Sequence, residues 1–227
     1  MAQFANCAIL NLQKYIKIIA IFHNLWHSLQ TMPTILDSLT PTLWRTCRAV
    51  ANLQRLRLFN AMIDQPPQSM GVIAKKCEMP KAVCCQYMRQ LNARGLCMAT
   101  RKSRWVYYHL QADPKVRHSE IIMQALITEL RSANDAVYKQ VFRDLTTFAH
   151  PRRIDIVLAL GKHGKTDCLT LCKRCKFSRR AMERQLDKLV RRGIVGQKDG
   201  CFFLVSPRTP LAKTLVKIVF EPSVESM

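Results

Sequence analysis

The sequence predicts a mainly α chain with two small β-hairpins, an α+β fold made from one unit used twice. Landmarks recur at a constant spacing. Ala51-Asn52-Leu53-Gln54-Arg55-Leu56-Arg57 has its counterpart in Ala149-His150-Pro151-Arg152-Arg153-Ile154-Asp155, and Arg94-Gly95-Leu96 in Arg192-Gly193-Ile194, each 98 positions on. A gap-free register across several landmarks marks a duplicated unit. In each copy helical periodicity then gives way to an alternating or apolar run, Trp105-Val106-Tyr107-Tyr108-His109-Leu110 in the first and Cys201-Phe202-Phe203-Leu204-Val205 in the second. With 227 residues, 48% of them hydrophobic, the chain has room for two modest domains, each with a core. The expected organisation is an N-terminal extension (1–39), a first domain (40–113), a helical linker (114–140), a second domain (141–206) and a C-terminal helix and tail (207–227).

In the first copy a helix is expected from Thr40-Pro41, with Thr40 as cap and Pro41 at the first helical position, running through Trp44 and Cys47 toward Val50. Asn52 opens the next helix. Leu53, Leu56, Phe59, Ala61, Met62 and Ile63 give it an apolar stripe, Arg55 and Arg57 point outward, and Pro66-Pro67 stops it. A short helix over 70–77, a tight turn at Glu78-Met79-Pro80 and a longer helix over 81–94 follow. Cys84, Met88 and Leu91 face inward on the last, and Gly95 closes it in a left-handed cap. Strands over 96–99 and 105–110 flank a basic turn, Arg101-Lys102-Ser103-Arg104.

Lys and Arg outnumber Asp and Glu by 36 to 15, a net charge of +21 spread over both copies. A dispersed positive field of this size points to a polyanion, nucleic acid before anionic membrane, rather than to a surface charged only for solubility. The ten cysteines include several at core positions, Cys84 and Cys172 among them, and no secretory signal precedes them, so reduced thiols in a cytoplasm are expected. Cys168, Cys172 and Cys175 share one face of a helix. They lack a second Cys or His pair at zinc-finger spacing, so no metal or other cofactor is expected. Residues 15–22 are apolar but too short to span a bilayer, and no membrane association is expected. Two readings of this segment stand side by side: a helix packed on the repeats, or a translation start at Met32 that leaves it out of the protein.

Short helix, tight turn, longer helix and hairpin together describe a winged helix-turn-helix, here two in tandem joined by a helical linker. The run Ala49-Val50-Ala51-Asn52-Leu53-Gln54-Arg55-Leu56-Arg57-Leu58-Phe59, with Val72-Ile73-Ala74, the 81–91 helix, Arg94-Gly95-Leu96 and Val106-Tyr107-Tyr108-His109-Leu110, resembles the ArsR family of bacterial winged-helix transcription regulators. The resemblance covers about 43–113. The second copy, about 141–205, is similar more loosely: Ala149-His150-Pro151-Arg152-Arg153 matches well, while its hairpin is shorter and its tip, Lys198-Asp199-Gly200, less basic.

The resemblance implies double-stranded DNA as partner and the longer helix of each copy as its reader. With Cys84, Met88 and Leu91 buried, Lys81, Cys85, Gln86 and Arg89 lie on the solvent side. Gln86 can pair with adenine, and Lys81 or Arg89 can reach guanine or a phosphate. In the second copy Met182, Leu186 and Leu189 face in, leaving Ser178, Arg179, Arg180, Glu183, Arg184 and Lys188 outside. Arg101, Lys102 and Arg104 on the first hairpin and Lys198 on the second are expected at the backbone or minor groove. The alternative for each is a plain solvated face. Family members commonly pair as homodimers through terminal helices, and here the apolar segments 116–141 and 210–220 could pair within one chain as a pseudo-dimer or between chains. The unequal recognition helices imply an asymmetric or pseudo-palindromic site.

The family's metal sensors carry Cys-rich sites in the short helix before the reader, roughly where Cys168, Cys172 and Cys175 lie. The first copy has Met70, Ala74 and Cys77 there, and the close Cys-x-Cys pair is absent from both copies, a departure from the sensor pattern. No enzyme is expected. His23, His27, His109, His118, His150 and His163 have no carboxylate or nucleophile at a catalytic spacing, and the glycines form no phosphate-binding loop. The competing class is a nonspecific chromosome-associated protein or a protein-protein scaffold, which would not need cations on both recognition faces.

Overall fold

The computed structural model describes residues 42–221. The 1–39 extension, Thr40, Pro41, Cys7, His23, His27 and both translation-start readings lie outside the described residues. Among the described residues there are ten helices and two three-stranded antiparallel sheets, a mixed α/β structure of the α+β kind. In chain order they are α1 (Leu43–Val50), α2 (Leu53–Asn60), β1 (Gln68–Ser69), α3 (Met70–Lys76), α4 (Lys81–Asn92), β2 (Met98–Lys102), β3 (Trp105–His109), α5 (Ser119–Leu130), α6 (Asp135–Phe148), α7 (Pro151–His163), β4 (Thr166–Asp167), α8 (Cys168–Cys175), α9 (Arg179–Arg191), β5 (Val195–Lys198), β6 (Cys201–Leu204) and α10 (Pro210–Phe220).

The repeat survives at atomic detail. Helices α2 and α7, strands β1 and β4, helices α3 and α8, and helices α4 and α9 all begin 98 positions apart. So do the turns. Glu78 and Lys176 both take left-handed backbone, at φ 49° and 55°. There the Met79 N–H donates to Ala74 O at 3.0 Å and the Phe177 N–H to Cys172 O at 3.1 Å, so each short helix ends on the same bond. Gly95 and Gly193, at φ 67° and 71°, close α4 and α9 alike. At Gly95 space also matters, because a Cβ there would lie 2.7 Å from Val116 Cβ.

The core follows the apolar spacing. Cys84, Met88 and Leu91 are buried on α4, and Met182, Leu186 and Leu189 on α9, where Gln185 joins them. Asn52 caps α2 through its side chain, which accepts the Arg55 N–H at 3.0 Å. Each hairpin gains a third strand that sequence reading did not anticipate: β1 pairs with β3, Gln68 opposite Tyr108, and β4 with β6, Thr166 opposite Phe202. The described residues all belong to one compact unit. Helix α1 packs on α6, and α5 on α10. The second pair runs antiparallel: His118 before α5 meets Glu221 after α10 at 3.3 Å, while Glu129 near the end of α5 accepts the Leu211 N–H at the start of α10 at 3.2 Å.

Several local expectations are corrected. The first helix is capped by Thr42, whose carbonyl accepts the Arg45 and Thr46 amides at 3.0 and 3.1 Å. Helix α2 ends at Asn60, and a turn through Asp64 at φ 56° intervenes before Pro66-Pro67. Arg55 points inward, not out: its side chain hydrogen-bonds Gln90 and its guanidinium lies 5.3 Å from the Tyr87 ring centroid. Arg101 and Lys102 belong to strand β2, so the turn is Ser103-Arg104, with Ser103 at φ 56°. Of the two readings of the 116–141 segment, one helix or a helix pair, the structure has the pair, because Asn134 caps a new helix by accepting the Val137 N–H at 3.0 Å.

Candidate nucleic-acid interface

Helix α4 begins straight after Pro80, and burial of its Cys84–Met88–Leu91 stripe turns Lys81, Gln86 and Arg89 to solvent; Cys85 is half-buried beside them. On α9 the Ser178 hydroxyl caps the helix by accepting the Ala181 N–H at 3.4 Å. Arg179, Arg180, Glu183 and Arg184 are exposed, and Lys188 is half-buried. Arg179 Nε donates to Glu183 Oε1 at 2.8 Å, a one-turn pair that leaves Arg180 and Arg184 to carry the outer face. The expected reading residues thus gather on one face of each helix.

The first hairpin interleaves cations with aromatics. Arg101, Lys102 and Arg104 are exposed, Arg104 lies 5.4 Å from the Trp105 ring and Lys102 6.0 Å from Tyr107. Trp105 itself is 53% exposed. The second hairpin is weaker in every respect. Its Asp199-Gly200 turn has both residues at positive φ, as a two-residue hairpin turn requires, and Asp199 takes up Lys165 at 3.2 Å, leaving Lys198 as the cation on β5.

Two clefts add residues that sequence reading missed. The first, about 870 Å³, lies between α1 and α4, and Trp44, Arg45, Arg48, Arg55, Arg89 and Arg94 line it. The second, about 550 Å³, lies between α6 and α9 and is lined by Phe142, Arg143, Thr146, Lys188, Arg191 and Arg192. These six occupy the positions 98 after Trp44, Arg45, Arg48, Gln90, Ala93 and Arg94, all first-cleft residues. Among the described residues no carboxylate lines either cleft. Burial and then Arg45 hold Arg94 below the usual guanidinium range, and burial, Arg143 and Arg191 do the same to Arg192. His150, which caps α7 by accepting the Arg152 N–H at 3.2 Å, feels charge from both clefts. Burial lowers its imidazole, followed by Arg153, Arg152, Lys188 of the second cleft and Arg48 of the first. A signal for the first cleft was available: residues 38–63 and 79–112 contain no Asp or Glu.

On α8 the thiols of Cys168, Cys172 and Cys175 are all half-buried. Burial, then the neighbouring Cys172, push the Cys168 thiol up to about 11, and burial raises Cys175 as well, so both are protonated thiols at neutral pH. Among the described residues no group of three or more His, Cys, Asp or Glu is placed to hold a metal ion, all cysteines are free, and no helix is long and apolar enough to cross a membrane. Compared with family models, curated proteins and solved structures, the chain has no match.

Proposed function

We propose that the chain is a sequence-specific double-stranded DNA-binding transcription regulator of tandem winged helix-turn-helix design. In this reading α3–α4 and α8–α9 are the two helix-turn-helix pairs, and α4 and α9 each enter a major groove. Gln86, Arg89 and Lys81 read one half-site and Arg180 and Arg184 the other, while the Arg101–Arg104 hairpin follows the backbone or minor groove. The observation that carries the reading is the repetition of one exposed cationic helix face, on the same short-helix scaffold, in both copies. The α5–α10 and α1–α6 packing supports a pseudo-dimer within one chain. Unequal outer faces favour an asymmetric site.

The test is fluorescence-anisotropy binding of the full chain to a random duplex pool over a salt series, with sequencing of the retained fraction. Steep salt dependence with an enriched two-part motif is the expected result. Steep dependence without enrichment would make the protein a nonspecific chromosome binder, and no binding would move the cationic faces to a scaffold role.

A further inference from the structure

We propose that the two arginine-lined clefts seat the phosphodiester backbone between the half-sites faced by α4 and α9, forming a sequence-independent clamp; this rests on the DNA reading above. The clefts are continuous with the reading faces, since Gln86 and Arg89 line the first and Lys188 the second. Guanidinium groups are suited to phosphate because their forked donors match its oxygens. Among the described residues no carboxylate is on either lining, and although Asp187 pairs with Arg191 and Asp144 acts on Arg192 from outside, Arg45 with Arg94 and Arg143 with Arg192 are like charges held together that an anion would relieve. A single small phosphate would need one such pocket. Two pockets at the chain's own period fit a ligand that presents phosphates repeatedly. Trp44 and Phe142, at equivalent positions, supply an apolar wall of the kind a sugar packs against.

The test uses the full chain with Arg45→Gln, Arg48→Gln, Lys139→Gln and Arg143→Gln together, four exposed side chains apart from the base-reading set, Lys139 also lining the second cleft. A second variant places Lys at the three arginine positions and keeps Lys139. Thermal melting first establishes that both fold as the parent does. The slope of log affinity against log salt should fall in magnitude by about 2 or more in the Gln variant, equally on enriched and random duplex, and recover in the Lys variant. The enriched motif should stay the same. If the parent binds duplex and the Gln variant keeps its slope, the clamp is wrong while the DNA reading stands. If the parent binds no duplex, both fall. Competition by adenosine monophosphate, absent with chloride of equal ionic strength and lost in the Gln variant, would assign the clefts to a small phosphate ligand and overturn the clamp.

Discussion

Thr209 Oγ1 donates to Asp144 Oδ2 at 2.7 Å while accepting the Ala212 N–H at 3.1 Å, so one hydroxyl caps α10 and ties it to α6. Gln140 donates to the other carboxylate oxygen at 2.9 Å. Thr209→Val removes a cap and leaves a buried carboxylate one donor short, an expected loss of about 2 kcal/mol by urea unfolding. Burial raises the Asp144 carboxyl, and the Thr209 and Gln140 bonds oppose that rise. The folded chain therefore holds this proton more tightly than the unfolded chain, and the group's contribution worsens as pH climbs from the ordinary carboxylate range through the raised value. Removing Thr209 widens the gap, so the variant's deficit should be larger near pH 7 than near pH 4. An equal deficit at both would contradict the linkage.

Arg153 is the buried junction of the second copy. Nε donates to Thr147 O and Nη2 to Thr146 O, both at 2.6 Å, and Nη1 to Gln185 Oε1 at 3.2 Å, joining α6, α7 and α9. Burial, then Arg192, lower its guanidinium to about 10, still charged at neutral pH. Arg153→Met keeps the bulk but strands three acceptors, and should cost about 2–4 kcal/mol. Arg152→Ala, which loses only an exposed guanidinium 5.2 Å from the Phe177 ring, should cost less than about 1 kcal/mol. Denaturant midpoints for the two variants decide it; equal midpoints would show that the Arg153 network carries no stability.

Arg55 and Arg153 also show where sequence reasoning stops. Both interrupt apolar stripes, and both fold inward toward an acceptor on another helix, Gln90 in one case and Gln185 in the other. Local periodicity carries no record of that partner. By contrast, the Asn52 cap, the Gly95 turn and the Cys84–Met88–Leu91 stripe are decided within a turn or two of chain, and were legible in it. The reading faces follow from those stripes by subtraction. The clefts do not, because Arg45 and Arg94 lie 49 positions apart and meet only when α1 packs on α4.

The hairpins should divide the work unequally. Arg101→Gln with Arg104→Gln should weaken binding to every duplex and reduce the salt slope by about 2, while Lys198→Gln should change it by no more than about 1. Base preference should persist in both. Gln86→Ala is the contrast: it should cost about 1–3 kcal/mol on the enriched duplex, little on random duplex, and relax one position of the motif. A Gln86→Ala protein with an unchanged motif would remove α4 from base reading.

His150 links folding, the clefts and pH. Its Nδ1 accepts the Arg152 N–H, a role open only to the neutral ring, and burial with the charges of Arg153, Arg152, Lys188 and Arg48 keeps it neutral. The unfolded chain then binds this proton more tightly than the folded chain, so stability is lost as pH falls through the ordinary imidazole value of about 6.5 toward the lowered one. His118 behaves alike, lowered by burial and Arg117 against the pull of Glu221. His150→Asn preserves an acceptor at the cap and cannot titrate. Its melting temperature should therefore drop less than the parent's between about pH 7.5 and 5.5, with His118 contributing to the drop that remains. Phosphates in the clefts would offset the same cations and raise His150, so duplex binding should take up a proton near pH 6 in the parent and take up less in His150→Asn. Equal uptake in the two proteins, read from calorimetry in buffers of different ionisation enthalpy, would separate His150 from the DNA surface.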